Sequence, residues 1–169
     1  GAPAWRGQAA RLDDMPASVQ RGLHFNLTQG EPASTALQRV WPSLPRLPSL
    51  LLAAAFGRLP VAAIGQELRA QWDAFVAAVG REPDFVDGHQ HVHHLPGVRE
   101  VVLDAAAASG IAVRNTGHVA GPGFAFKRLV IERSGGRALE RLLRARGIAH
   151  NAVLAGIYFL VQAPAHAVA

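Results

Sequence analysis

The sequence predicts an α/β fold, one domain of 169 residues built on a mainly parallel sheet that is open or rolled into part of a barrel. Three observations carry that prediction. Short stretches with the two-residue alternation of a strand are separated by longer ones with the recurrence of an amphipathic helix, and a helix between strands is the crossover that parallel pairing needs. Half of the residues are hydrophobic and 17% are charged, which suits a closed core and not a disordered chain. A complete eight-unit barrel takes about 250 residues, so this chain can supply only a partial or reduced one.

The first strand is read at residues 22–28, where Leu23, Phe25 and Leu27 alternate with His24, Asn26 and Thr28 and leave a polar inner face. Residues 29–47, with Gly30, Pro32, Pro42 and Pro45, read as a long loop, and residues 49–56 as a short apolar helix. Pro60 opens and Gly80 closes a helix in which Val61, Ile64, Leu68, Trp72, Phe75, Val76 and Val79 share one stripe. Residues 84–88 form a second strand that runs into a histidine-rich segment. Pro96 and Gly97 then introduce a helix through Val98, Val101, Val102 and Ala105, which Gly110 ends. Residues 111–114 are a third strand and 115–123 a loop loosened by Gly117, Gly121 and Gly123. Residues 124–146 are one or two helices broken at Gly135 and Gly136, and residues 151–161 a last apolar segment containing a strand.

Composition excludes several classes. The absence of cysteine removes disulfide scaffolds, thiolate zinc sites and cysteine nucleophiles, and with no secretory signal in view the expected location is cytoplasmic. The longest apolar stretch, residues 152–161, is half of the roughly 20 residues that a membrane span takes. A net charge of +5 raises the question of nucleic acid, but most arginines stand singly. The dense group Arg137, Arg141, Arg144 and Arg146 is interleaved with Leu139, Leu142 and Leu143, the pattern of a helix with a buried apolar face and a solvated basic one. No nucleic-acid partner is therefore expected, and Trp5, Trp41 and Trp72 read as packing residues.

The chemistry is concentrated in Asp87-Gly88-His89-Gln90-His91-Val92-His93-His94, a carboxylate and four imidazoles at the exit of a strand. Neutral imidazole is the commonest metal ligand, and a carboxylate orients a ligating ring by accepting its second N–H. Extended, the segment would place Asp87, His89, His91 and His93 on one face, yet neighbours on one strand cannot all surround one ion. His24, on its own polar strand face, is the best further candidate. The plainer alternatives are a solvated loop for the run and a hydrogen-bonded core histidine for His24. His118, His150 and His166 read as structural or surface residues.

Gly22-Leu23-His24-Phe25-Asn26-Leu27-Thr28-Gln29-Gly30 and Val86-Asp87-Gly88-His89-Gln90-His91-Val92-His93, followed by Leu95-Pro96-Gly97-Val98, together resemble the YdjC-like carbohydrate deacetylases, among them chitooligosaccharide and hopanoid-biosynthesis-associated deacetylases. The likeness is close over residues 22–114. It implies a distorted α/β barrel that binds a divalent metal, Mg or Zn, and hydrolyses the N-acetyl group of an amino sugar. On motif matching His24 and His89 fall on the family's metal-binding histidines. Asp87, His93 and Arg114 fall beside that site in supporting or substrate-contacting roles, with His91 and His93 as candidates to protonate the leaving amine.

Members of that family begin with a strand ending in Ala-Asp-Asp-Phe-Gly, whose aspartates supply a third ligand and the base, and they carry a late His-Pro motif; neither stands in this chain. Asp13-Asp14 is followed by Met15 and Pro16 and does not take those roles. The expectation is a single carbohydrate-deacetylase-like domain over residues 1–169, lacking the first strand and truncated at both ends. An edge left open there would favour homo-oligomers. The competing function is a non-catalytic metal- or sugar-binding remnant of the same fold.

Overall fold

The computed structural model describes residues 15–16, 18–120 and 125–155. Strand β1 (Gly22–Phe25) ends where the side chain of Asn26 takes over the backbone. Its Oδ1 accepts from the N–H groups of Thr28 at 3.0 Å and Gln29 at 3.2 Å, a turn that bends the chain out of the sheet three residues before the expected strand end. The expected long loop contains helix α1 (Thr35–Val40), capped by Ser34 Oγ on the Leu37 N–H at 3.2 Å and held by the buried Leu37. Pro and Gly on both sides hid this short helix in the sequence. Helix α2 (Leu47–Ala55) starts at Pro48 in its first turn.

Helix α3 (Val61–Val79) follows the predicted stripe except at its start, where Val61 is exposed: Ile64, Leu68, Trp72, Phe75 and Val79 are all buried, each contributing about 1.5–3 kcal/mol by leaving water. Gly80, at φ 73°, ends it with its N–H on Val76 O. Strand β2 (Phe85–Gly88) leads into a 3₁₀ turn (His89–His94), and α4 (Val98–Ser109) begins where the Gly97 N–H meets the Glu100 carboxylate at 2.7 Å. Then come β3 (Ala112–Val113), β4 (Val119–Ala120) inside the expected loop, α5 (Ala125–Ile131), a π-helical turn (Glu132–Gly136), α6 (Arg137–Ala145) and β5 (Leu154–Ala155). The predicted break at Gly135 and Gly136 is this π turn.

Strands β1, β2 and β3 form a parallel sheet in that order, and β4 and β5 a separate parallel pair. One isolated parallel bridge, Val113 to His150, links the two regions. The expected barrel is thus seen as parallel strands with helical crossovers, without a closed ring of strands among the described residues. Leu23, Phe25, Val86 and Val113 leave one face of the sheet and join a single core with α3, α4 and Leu139 and Leu143 of α6. The alternation of side chains sends Gly22, His24, Phe85, Asp87, Ala112 and Arg114 to the opposite face.

Among the described residues no helix is long and apolar enough to cross a membrane. Trp72 is in the core with its indole N–H on Glu82, and Trp41 packs against its edge. Residues 1–14, on which the expectation about the first strand and Asp13-Asp14 bears, lie outside the described residues, as do Trp5, Gly121, Gly123, His166 and residues 156–161.

Candidate metal centre

The register of the parallel sheet assembles the site. His24 on β1 pairs with Asp87 on β2, and Arg114 follows β3 on the same face. Asp87 Oδ1 lies 2.6 Å from His24 Nδ1 and Oδ2 lies 3.2 Å from Arg114 Nε. Burial is the largest influence on this carboxyl and pushes its pKa up. The hydrogen bond from His24 and the charges of His24, Arg114 and His93 together outweigh it, and Asp87 sits below the ordinary carboxylate value. An ionised carboxylate only accepts, so His24 carries a proton on Nδ1, and in the neutral ring Nε2 is left as a bare lone pair. The His24 side chain is 57% exposed, so this lone pair belongs to an accessible ring.

His89 Nδ1 stands 3.2 Å from His24 Nε2, with the two rings edge-on at 85°. In the metal-free protein the Nδ1–H of His89 donates to that lone pair. Two imidazole nitrogens bound tetrahedrally at 2.0–2.1 Å to one Zn²⁺ would lie about 3.3 Å apart, so the pair has the spacing of two ligands of one ion. Burial, reinforced by His24 and opposed by Asp87, lowers the pKa of His89 and favours its neutral, ligating form. Asp87 is occupied on both oxygens. Among the described residues no group of three His, Cys, Asp or Glu side chains is placed to hold a metal ion. His24 and His89 therefore fit as two ligands of an incomplete set.

The expectation that Asp87, His89, His91 and His93 share one extended face is corrected. The strand stops at Gly88 and the backbone turns through left-handed conformations at Gln90 (φ 52°) and His91 (φ 63°), which rolls the later imidazoles away from His89. A Cβ on Gly88 would come within 2.6 Å of His93 Nδ1 and 2.7 Å of its backbone nitrogen, so glycine lets the turn fold back over β2. His93 is fully buried and its Nε2–H donates to Arg114 O at 2.8 Å; burial lowers its pKa to about 4. His94 is wedged between Thr116 Oγ1 and Ser134 Oγ, each at 2.9 Å, and burial lowers its pKa to about 2. His91 stacks on the His94 ring, centroids 6.2 Å apart.

The structure thus brings together His24, Asp87, His89 and Arg114, and makes His93 a bridge to β3. His118 is exposed and the Nδ1–H of His150 donates locally to Ile148 O at 2.7 Å, in keeping with their expected structural or surface roles. Sequence reasoning missed Thr116 and Ser134, which no spacing rule marks, and also Asn115 and Asn151, whose side chains cross-link the two sheet regions through bonds of 2.8–3.3 Å. Beside the site opens a cleft of about 330 Å³ lined by Gln20, Phe85, Ala112, Arg114, Asn151 and Leu154. The Arg114 guanidinium lies over the Phe85 ring, 5.4 Å from its centroid.

A helix-backed parallel sheet with imidazoles and a carboxylate at the carboxyl ends of its strands defines an α/β protein whose site lies where such folds place their ligands. The chain belongs to the YdjC-like protein family, whose model matches residues 1–168. It is similar to the chitooligosaccharide deacetylase of Yersinia enterocolitica, 38% identical over 113 residues that make up 66% of this chain and 44% of that protein. It is also similar to the carbohydrate deacetylase of Mus musculus, 39% identical over 101 residues, 56% of this chain and 32% of the relative. The chain therefore spans less than half the length of these curated relatives. Among solved structures it resembles that of an Enterococcus faecalis protein named for cellobiose-phosphate cleavage, with a TM-score of 0.55, 17% identity, and coverage of 90% of this chain and 64% of that one. At that identity the likeness is one of fold.

Proposed function

We propose that the chain is the metal-binding part of a carbohydrate deacetylase, a hydrolase that removes N-acetyl groups from amino sugars of a chitooligosaccharide-like or glycolipid-linked substrate, with a divalent ion, Mg or Zn, on His24 and His89. The convergence of His24 Nε2 and His89 Nδ1, with Asp87 fixing the tautomer of His24, carries this reading. Two imidazole donors suit Zn better than Mg, which favours carboxylate and water oxygens. When bound, the ion supplies a polarised acetyl carbonyl and a more acidic water.

The remaining work falls to the chain. Asp87 holds the His24 ring in its ligating orientation, and Arg114 helps to keep Asp87 ionised. The leaving amine needs a proton, for which His91 and His93 are the candidates; His91 is only half-buried, whereas His93 is enclosed. One observation favours the second reading, a non-catalytic metal- or sugar-binding remnant: both oxygens of Asp87 are engaged, which leaves the described part of the site without a carboxylate free to act as base.

Zinc titration by calorimetry and turnover of acetylated chitooligosaccharides, on the chain and on its His24→Ala and His89→Ala variants, separate the two. Stoichiometric zinc lost in both variants together with released acetate supports the deacetylase. Zinc without acetate supports the remnant, and no stoichiometric zinc overturns the zinc-bound deacetylase and the metal-binding form of the remnant.

A further inference from the structure

Helix α3 carries two polar side chains, Glu67 and Gln71, that take no direct part in the His24–Asp87–His89 cluster. Glu67 is completely buried, and among the described residues no ion pair reaches it. Its Oε1 accepts from the Ala33 N–H and its Oε2 from the Ser34 N–H, each at 2.8 Å, and Oε1 also accepts from Gln71 Nε2 at 2.8 Å. Because a carboxylate can only accept, it dictates which end of the Gln71 carboxamide faces it. With Nε2 turned to Glu67, the amide presents both of its functions to one backbone residue: Oε1 accepts from the Asn26 N–H at 3.0 Å, and Nε2 donates to Asn26 O at 2.8 Å. This paired donor and acceptor is what a neighbouring strand would offer.

Asn26 is the first residue beyond β1 and stands two residues after His24. Strand β1 has only four residues, and β2 leaves the sheet at Gly88, the partner of Phe25. Past that point the main chain is held by the amide of Gln71 and by the turn that the Asn26 side chain closes.

We propose that Gln71, oriented by Glu67, is a positioning residue for His24: its carboxamide acts as a one-residue strand that clamps the main chain at Asn26 and so fixes the end of β1 from which His24 reaches Asp87 and His89. The metal consequence rests on the proposed role of His24 and His89 as ligands; the effect on the His24 ring does not. Without the clamp the end of β1 frays, the His24–Asp87 hydrogen bond loses its geometry, and the ring samples the common Nε2–H tautomer.

The test uses Gln71→Met, which keeps the volume and removes both main-chain bonds, and Gln71→Asn, too short to span to Asn26, should the first not fold. Ile64→Val, which trims the buried face of the same helix without removing any hydrogen bond of the network, is the stability control. The readout is the pair of His24 ring ¹⁵N shifts in metal-free protein, assigned by their loss in His24→Ala, followed by Co²⁺ affinity. The expected result is an Nδ1–H tautomer in the parent and in Ile64→Val and a tautomer mixture in Gln71→Met, with Co²⁺ binding about tenfold weaker in the latter. Unchanged His24 shifts in a folded Gln71→Met overturn the proposal. A parent that binds no Co²⁺ overturns the metal reading alone, and the tautomer comparison still decides the role of Gln71.

Discussion

Asp87 decides which nitrogen of His24 is available, and this is the most consequential interaction at the residue scale. Asparagine at that position can offer an N–H as well as an oxygen, so Asp87→Asn frees the His24 ring to take the other tautomer and weakens the Arg114 contact. Loss of such an orienting partner costs 10–100-fold in metal affinity, and zinc calorimetry at neutral pH on Asp87→Asn should show a loss in that range. His93 gives a second prediction, of stability against pH. Its folded pKa of about 4 lies below the ordinary 6.5, so between those values the unfolded chain takes up a proton that the native chain refuses. Stability is therefore full above pH 6.5 and falls as the pH drops toward 4, by about 3 kcal/mol from His93 alone. His94 acts in the same direction, and Asp87, whose folded pKa is depressed, adds a loss at still lower pH. Urea unfolding at a series of pH values should show the decline, and His93→Leu, although less stable at neutral pH, should show a flatter one.

At the scale of elements, what the sequence revealed depended on whether a short-range rule governed the segment. The stripe on α3, the Gly97 and Gly110 boundaries of α4 and the alternation that exposes His24 and buries Leu23 and Phe25 all follow from periodicity and caps, and the structure contains them. The paired histidine motifs also pointed to the family that the comparisons found. Helix α1 was hidden because its main anchor, Glu67 on the Ala33 and Ser34 N–H groups, comes from a residue more than thirty positions away. The 3₁₀ turn of the histidine run was hidden because it depends on the ring of His93 lying on Gly88 and on the docking of Gly135 against the His94 carbonyl, contacts between segments that no local pattern encodes. Gly135 is the more demanding of the two. A Cβ there would overlap the His94 carbonyl, a backbone atom that cannot swing aside, and the residue has φ 159°. Gly135→Ala should lower the unfolding free energy by about 2–4 kcal/mol in urea titration and detach Ser134 from His94, whereas Gly57→Ala, with nothing near its Cβ position, should cost only its backbone strain.

For the whole molecule, the His24–His89 pair ties together segments 65 residues apart in sequence, the end of β1 and the turn after β2, with all of α1, α2 and α3 between them. Such a pair does not exist in the unfolded chain. Any ion it holds therefore binds the native state alone and must raise global stability by mass action. At a free zinc concentration of 100 times the dissociation constant the gain is about 2.7 kcal/mol, and for a domain of this size each kcal/mol moves the melting temperature by roughly 2–4 °C. A rise of about 5–11 °C on adding zinc to chelator-treated protein is the expected outcome, measured by calorimetric or circular-dichroism melting. His89→Ala should melt at the same temperature with and without zinc, because His24 alone cannot bridge the two segments. The surface charge supplies the internal control: Arg137, Arg144 and Arg146 are already paired with Glu132, Glu140 and Asp104, so their exposed ion pairs contribute little. Raising the salt concentration should leave the zinc-induced shift in place, and a shift that vanished with salt would assign it to surface charge instead of the His24–His89 pair.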